Sequence, residues 1–154
     1  MIETERLLLR KPMLEDAEAL ETPIASLQRW LAEWGANGIG YFTVELDSGD
    51  VIGRVGFHVF DDRTWTLATL AGAREHAVVE LGWTLLPQHQ GRGYATEAAR
   101  AAREWAARDR LISLIEPANA GSARVAERLG CRTGETVEIQ GNLHVVWEHP
   151  RLRA

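Results

Sequence analysis

Apolar positions alternate in short runs near the start of the chain and later recur at helical spacing. Leu7-Leu8-Leu9-Arg10 reads as a first strand closed by Pro12, and Glu15 to Leu20 as a short helix. Thr22-Pro23 has the look of a cap with proline at the first helical position. Behind it, Leu27, Trp30, Leu31 and Trp34 form one helical stripe, and Gly35 and Gly38 are placed to stop it. Tyr41 to Leu46 and Val51 to Phe60 alternate as strands around Asp47-Ser48-Gly49-Asp50, which predicts an antiparallel hairpin. Trp65 to Leu70 reads as another extended piece.

Val78 to Leu86 carries the strongest strand pattern. Alternation puts Val79, Leu81, Trp83 and Leu85 on one face and Glu80, Gly82 and Thr84 on the other. Pro87 ends the strand, and a turn with two glycines opens a helix from about Tyr94 to Arg108. Its predicted buried stripe is Ala95, Ala98, Ala102 and Trp105. Leu111 to Ile115 reads as a short buried strand. Ser122 to Leu129 is a helix with Gly130 at its terminating position, and Glu135 to Ile139 with Leu143 to Glu148 makes a closing hairpin around Gln140-Gly141-Asn142. The sum is a single α+β domain over residues 1–154: antiparallel strands, a strand-helix-strand-helix passage, then a hairpin.

Composition narrows the function classes. A chain of 154 residues with 45% apolar content holds enough material for one packed core. A formal charge of -5, from 22 acidic and 17 basic residues, argues against general nucleic-acid binding. Cys131 has no partner for an intrachain disulfide, which fits a reducing interior. No run approaches the roughly 20 apolar residues of a membrane helix, and Met1 to Arg6 lacks a signal-peptide core. The expected setting is cytoplasmic, with no membrane contact. His58, His76, His89, His144 and His149 lack the close spacing of a zinc site, so no metal is expected.

Pro87-Gln88-His89-Gln90-Gly91-Arg92-Gly93-Tyr94-Ala95 lies between the strand and the helix. Glycines let a backbone approach a ligand, and a helix start offers free N–H groups, so this turn is suited to a pyrophosphate. Arg92 adds a charge for phosphate. A tight turn without a ligand is the competing reading. Thr96 stands where a dinucleotide fingerprint needs its last glycine, and no Gly-Lys-Ser/Thr is present for a triphosphatase loop.

Three blocks together resemble the Gcn5-related N-acetyltransferase (GNAT) superfamily, within it the ribosomal-protein alanine acetyltransferase (RimJ/RimL-like) branch. They are Thr4-Glu5-Arg6-Leu7-Leu8-Leu9-Arg10 with Asp16-Ala17, then Glu80-Leu81-Gly82-Trp83 through Gln90-Gly91-Arg92-Gly93-Tyr94-Ala95-Thr96-Glu97-Ala98, then Asn119-Ala120-Gly121-Ser122 with Glu127-Arg128-Leu129-Gly130-Cys131. The resemblance implies the acyl-CoA N-acyltransferase fold, a mixed, mostly antiparallel sheet flanked by helices. It also implies acetyl-CoA as cosubstrate, its pyrophosphate on the amides from about Gly91 to Ala95 with Gln90 opening the motif. Leu85 and Leu86 would offer backbone bonds to the pantetheine arm, Asn119 would meet the arm or its loop, and Arg124 or Arg128 would reach the nucleotide phosphates. For each arginine alone, a solvent-facing helix charge is the plain alternative.

An amine attacks a thioester only when neutral, so a proton must leave it and charge on oxygen must be met. Glu80, beside the open space of Gly82, is the candidate base; pairing with an arginine or orienting the amine are its other readings. A backbone N–H near Trp83 to Leu85 is the candidate oxyanion donor, aimed in many relatives by a bulge. The tyrosine acid of many relatives aligns here with Ala126, which leaves Ser122 as the candidate partner of the departing sulfur, unless it and Asn119 only cap a helix. Trp65 and Trp83 are candidate walls of the acceptor site. The acceptor is a protein N-terminus or a small-molecule amine, a homodimer is left open, and a catalytically inactive acyl-CoA-binding or regulatory module is the rival function.

Overall fold

The computed structural model describes residues 1–152. Nine strands and five α-helices follow one another as β1 (Ile2–Glu3), β2 (Leu7–Arg10), α1 (Asp16–Ala19), α2 (Ile24–Asn37), β3 (Tyr41–Leu46), β4 (Val51–Asp61), β5 (Thr66–Leu67), α3 (Leu70–Ala73), β6 (Ala77–Leu85), α4 (Tyr94–Ala106), β7 (Ile112–Ile115), α5 (Ala120–Arg128), β8 (Arg132–Ile139) and β9 (Asn142–Glu148). The strands make one sheet in the order β1-β2-β3-β4-β6-β7-β9-β8, with β5 paired to β4. Every pairing is antiparallel except β6 with β7. This is the expected α+β architecture, a mixed sheet with helices on its faces.

Strand alternation decides what each face carries. On β4, Val55, Phe57 and Val59 point to the main core, joined by Val79, Leu81 and Leu85 of β6 and by Ala98, Ala99 and Ala102 of α4. These alanines are fully buried, so α4 lies close on the sheet. The opposite face meets α1 and α2, where Leu20, Leu27 and Trp30 pack around Tyr41. Asp16 fastens that layer: its carboxylate takes 2.9 and 2.8 Å bonds from the Arg10 guanidinium and a 2.8 Å bond from the Thr43 hydroxyl. Burial alone would raise the Asp16 pKa, but these bonds outweigh it and hold the carboxyl below its ordinary value.

Local expectations were shifted in four places. Pro23 is the N-cap residue, not the first helical one, and Thr22 turns its hydroxyl back to the Leu20 carbonyl. The second helix runs through Gly35 and stops only at Gly38, whose left-handed conformation returns its N–H to Trp34. The segment from Trp65 contains a two-residue strand, after which Thr69 caps α3 and Leu70 is already helical. Trp105 is 43% exposed, packed against Trp34 and Phe42 at the rim of the core, and Ala99 takes the buried place expected for it. Cys131 is half-buried, with its thiol pushed up to about 11 by burial against the opposing Arg103 charge.

Between β6 and β7 the sheet comes apart. The two strands share one parallel register pair, Glu80 with Ile112. The β4–β6 ladder, by contrast, runs unbroken from Asp61–Ala77 to Gly53–Leu85 with no register shift, so β6 has no bulge in its pairing with β4. Beyond the single bridge, the β7-facing edge of β6 is open.

Candidate functional site

Two cavities meet in that opening. One, of about 370 Å³, is lined by Leu85, Gln90, Gly91, Gly93, Tyr94, Ala95 and Thr96 on one side and by Gly121, Arg124, Val125 and Arg128 on the other. The second, of about 450 Å³, contains Glu80 and Gly82 with Tyr41, Arg54, Phe60, Glu116 and His144. Trp83, Thr84, Asn119 and Ser122 line both. A larger hollow outside α4 is walled by Arg6 and Glu97, which are already paired, and does not reach Glu80.

The turn before α4 is built to present amides. Gly91 and Gly93 have φ of +79° and +82°, a conformation that glycine adopts without strain, and Gly93 is the N-cap residue of α4. From Gly91 through Thr96 no N–H finds an acceptor among the described residues. They stand at the positive end of the helix dipole, where an anion is stabilised. Thr96 and Trp83, which line this cavity, each carry a buried side-chain atom, Thr96 Oγ1 and the indole nitrogen, without a hydrogen-bond partner. Open amides and the nearby Arg124 and Arg128 fit a long ligand that ends in linked phosphates.

Arg6 holds this turn in place, a role that sequence pattern did not reveal. Its guanidinium donates to the Arg92 carbonyl at 3.0 Å and to Glu97 at 2.7 Å, and it covers the Tyr94 ring at 4.5 Å. Thr4 adds a 2.6 Å bond to Glu97. Burial pushes Glu97 up, yet the Thr4 and Arg6 bonds prevail and keep its pKa below the ordinary value. The first of the three resembling blocks is thus scaffold: Thr4 and Arg6 brace the turn, Arg10 braces α1.

Not every expected residue faces the cavities. Arg92 does not line the first cavity; its carbonyl is spent on Arg6. Leu86 donates its N–H to the Ile52 carbonyl at 2.9 Å, so it offers no donor to a ligand arm. Backbone direction alternates along a strand. Because Leu86 faces β4 while the Leu81 carbonyl faces β7, Trp83 and Leu85 turn their N–H groups to the open edge. The Leu85 carbonyl is already taken by the Gln90 side chain at 3.0 Å. Trp65 lines neither cavity and lies behind Phe60, with ring centres 6.3 Å apart. Ala126 is fully buried and also absent from both walls; α5 lines the first cavity with Gly121, Ser122, Arg124, Val125 and Arg128, and of these Ser122 also lines the second. Asn119 caps α5 by accepting the Ser122 N–H at 3.1 Å, while lining both cavities.

Glu80 is 7% exposed. Burial pushes its pKa up to about 7, against the lowering effects of His58, the Leu114 N–H and Arg54. His58 stands directly across from it in the ladder, and His58 Nδ1 lies 3.2 Å from Glu33 Oε2 without hydrogen-bond alignment. Tyr41 pairs with Gly56, which pairs with Gly82, so the phenol lies beside two positions that carry no side chain. Tyr41, His58 and Arg54 were all missed by the sequence reading. The alternation of Arg54, Gly56 and His58 along β4 was the available signal.

Behind the site, the Ser113 hydroxyl donates to the Leu81 carbonyl at 2.6 Å and meets His149 Nε2 at 2.8 Å, while His149 Nδ1 lies 3.1 Å from the Arg103 guanidinium. Arginine can only donate, so Nδ1 accepts and Nε2 carries the hydrogen. The chain of bonds joins α4, β7 and the end of β9 to the carbonyl just past Glu80. Among the described residues there is no cluster of three or more metal-ligating side chains, and no helix is long and apolar enough to cross a membrane.

The acetyltransferase (GNAT) domain family matches residues 6–132. YkkB of Bacillus subtilis (strain 168) is 39% identical over 75 residues, 46% of this chain and 44% of that protein, so the match covers less than half of that relative's length. The uncharacterized N-acetyltransferase YnaD of the same organism is 26% identical over 153 residues, 85% of this chain and 82% of its own. The solved acetyltransferase from Agrobacterium tumefaciens str. C58 superposes with a TM-score of 0.76 at 28% identity, covering 97% of this chain and 94% of that one.

Proposed function

The chain belongs to the acetyltransferase (GNAT) domain family, and from that premise we propose that it moves an acetyl group from acetyl-CoA to the nitrogen of a primary amine. The observation that carries this is the junction of the two cavities. An open row of amides lies in one, a buried carboxylate in the other, and Trp83, Thr84, Asn119 and Ser122 are shared between them.

Acetyl-CoA supplies the acetyl thioester. The amides from Gly91 to Thr96 hold its linked phosphates, with Arg124 and Arg128 at the nucleotide end, and the Leu85 N–H and Trp83 carbonyl on the open edge of β6 pair with the pantetheine amides as an added strand would. Glu80 accepts the proton shed by the acceptor nitrogen; a carboxyl whose pKa lies near 7 is matched to that task near neutral pH. The Trp83 N–H is the donor for charge developing on the carbonyl oxygen. Ser122, on the wall between the cavities, is placed to hydrogen-bond the departing sulfur. Glu80 in a cavity continuous with the phosphate turn favours an enzyme over an inactive acyl-CoA-binding module.

The test is release of free thiol from acetyl-CoA with the purified chain and a panel of amines. Turnover with any amine supports the reading. Coenzyme binding with no turnover across amino acids, peptides, aminoglycosides and polyamines would transfer support to the binding module.

A further inference from the structure

The cavity that holds Glu80 also holds a cation that forms no salt bridge among the described residues, although its charge reaches the Glu80 carboxyl. Arg54, on β4, stacks its guanidinium over two rings, 4.8 Å from the centre of Trp30 and 4.4 Å from that of Tyr41. Among the described residues no aspartate or glutamate forms an ion pair with it. Elsewhere in this cavity His144 Nε2 lies 3.8 Å from Glu116 Oε1. A guanidinium packed against two rings that meet edge to face is held in position, with N–H donors left over. A half-buried arginine of this kind is completed by a carboxylate, which takes two parallel N–H···O bonds from it.

We propose, resting on the acetyl-transfer reading above, that the acceptor is a small amine that also bears a carboxylate, in the manner of an amino acid. Arg54 receives the carboxylate, and Glu80 receives the proton of the amine. Both side chains leave the same face of the sheet, since Arg54 and the His58 that pairs with Glu80 alternate on β4. Their strand positions are four residues apart, about 13 Å at roughly 3.3 Å per residue, and the length of the arginine side chain closes much of that span. A cavity of about 450 Å³ suits a small molecule. A polyamine or aminoglycoside would press further positive charge against Arg54, so the same residue disfavours them.

Matched acceptor pairs test the assignment: amino acids and their carboxamides with identical side chains, alongside a polyamine, assayed by thiol release. The wild-type chain is expected to favour the carboxylate of each pair by about tenfold or more in kcat/KM. In Arg54→Gln that ratio falls toward one, through KM of the carboxylate member, and Arg54→Lys recovers part of it. Thermal melts of each variant report whether the fold is kept. Equal wild-type rates on both members, preference for the polyamine, or an equal loss on both members in Arg54→Gln overturns the proposal and leaves acetyl transfer standing. Absence of turnover with every amine, while coenzyme A still binds, removes the transfer reading and this acceptor with it.

Discussion

The hydroxyl of Tyr41 and the carboxylate of Glu80 flank the same empty space above Gly82, although β4 separates the strands that carry them. A Cβ built on Gly82 would lie 3.1 Å from Tyr41 Oη and 3.2 Å from Glu80 Oε2. Burial, with the Glu80 charge adding to it and Arg54 opposing, pushes the phenol pKa up to about 12, so Tyr41 remains a protonated donor beside the Glu80 carboxylate. Alanine at Gly82 would displace two side-chain ends and no backbone. Gly82→Ala is therefore expected to fold, with a melting temperature within a few degrees of wild type, while kcat drops by about tenfold or more because the carboxylate is misplaced. Steady-state kinetics with a melt on the same sample check this; unaltered kcat would show that the space is not used.

Glu80 links activity to stability. Its folded pKa, near 7, is raised above that of an exposed glutamate, so the neutral form contributes stability that is complete below about pH 4 and is lost as pH rises through 7. The loss is on the order of 3 kcal/mol. Glu80→Gln escapes it, and should melt higher than wild type at pH 8 with the advantage vanishing near pH 4. Its turnover should fall about a hundredfold and lose the acidic limb of the pH–rate profile, with coenzyme affinity retained. An unchanged acidic limb would remove Glu80 as base.

Gly93→Val probes the glycine turn proposed to hold the coenzyme phosphates. Gly93 has φ of +82°, and an added Cβ would meet the Arg6 guanidinium at 3.4 Å. A left-handed conformation costs a branched residue about 1–2 kcal/mol, and the turn relaxes by rotating its amides. Coenzyme A affinity should weaken by about tenfold or more in a calorimetric titration; equal affinity would contradict the placement.

His149 reports on the support behind β6. Burial, with the Arg103 charge adding to it, lowers its pKa to about 4. Nitrogen-resolved NMR should find a neutral ring with hydrogen on Nε2 from pH 8 down to about pH 5, and an imidazolium signal at pH 6 would contradict the bonding described. Because the unfolded ring protonates near pH 6.5, stability held by neutral His149 is complete above that value and lost as pH falls through 4.

Long alternating runs and well-placed glycine and proline made β3, β4, β6 and the closing hairpin legible, and the helical spacing of alanines did the same for α4. Strands β1 and β5 have two residues each, too few for any period to show. Gly35 looked like a stop because local propensity was the only guide, whereas Trp30 and Trp34, buried on the same stripe, carry the helix past it. Glu80 was legible from alternation on one strand. Tyr41 and Arg54 acquire meaning only from the register of three strands, and Arg6 from a contact to Glu97 across 91 positions. Such pairings are fixed by the tertiary fold and leave no mark on neighbouring residues.

With one bridged pair between β6 and β7, the seam is the most weakly laced line of the sheet, and Ser113 is one of its few rivets. A guest lying along that seam supplies cross-ties the chain itself lacks. Occupancy should then tighten the whole domain against heat, and the vacant protein should part there first.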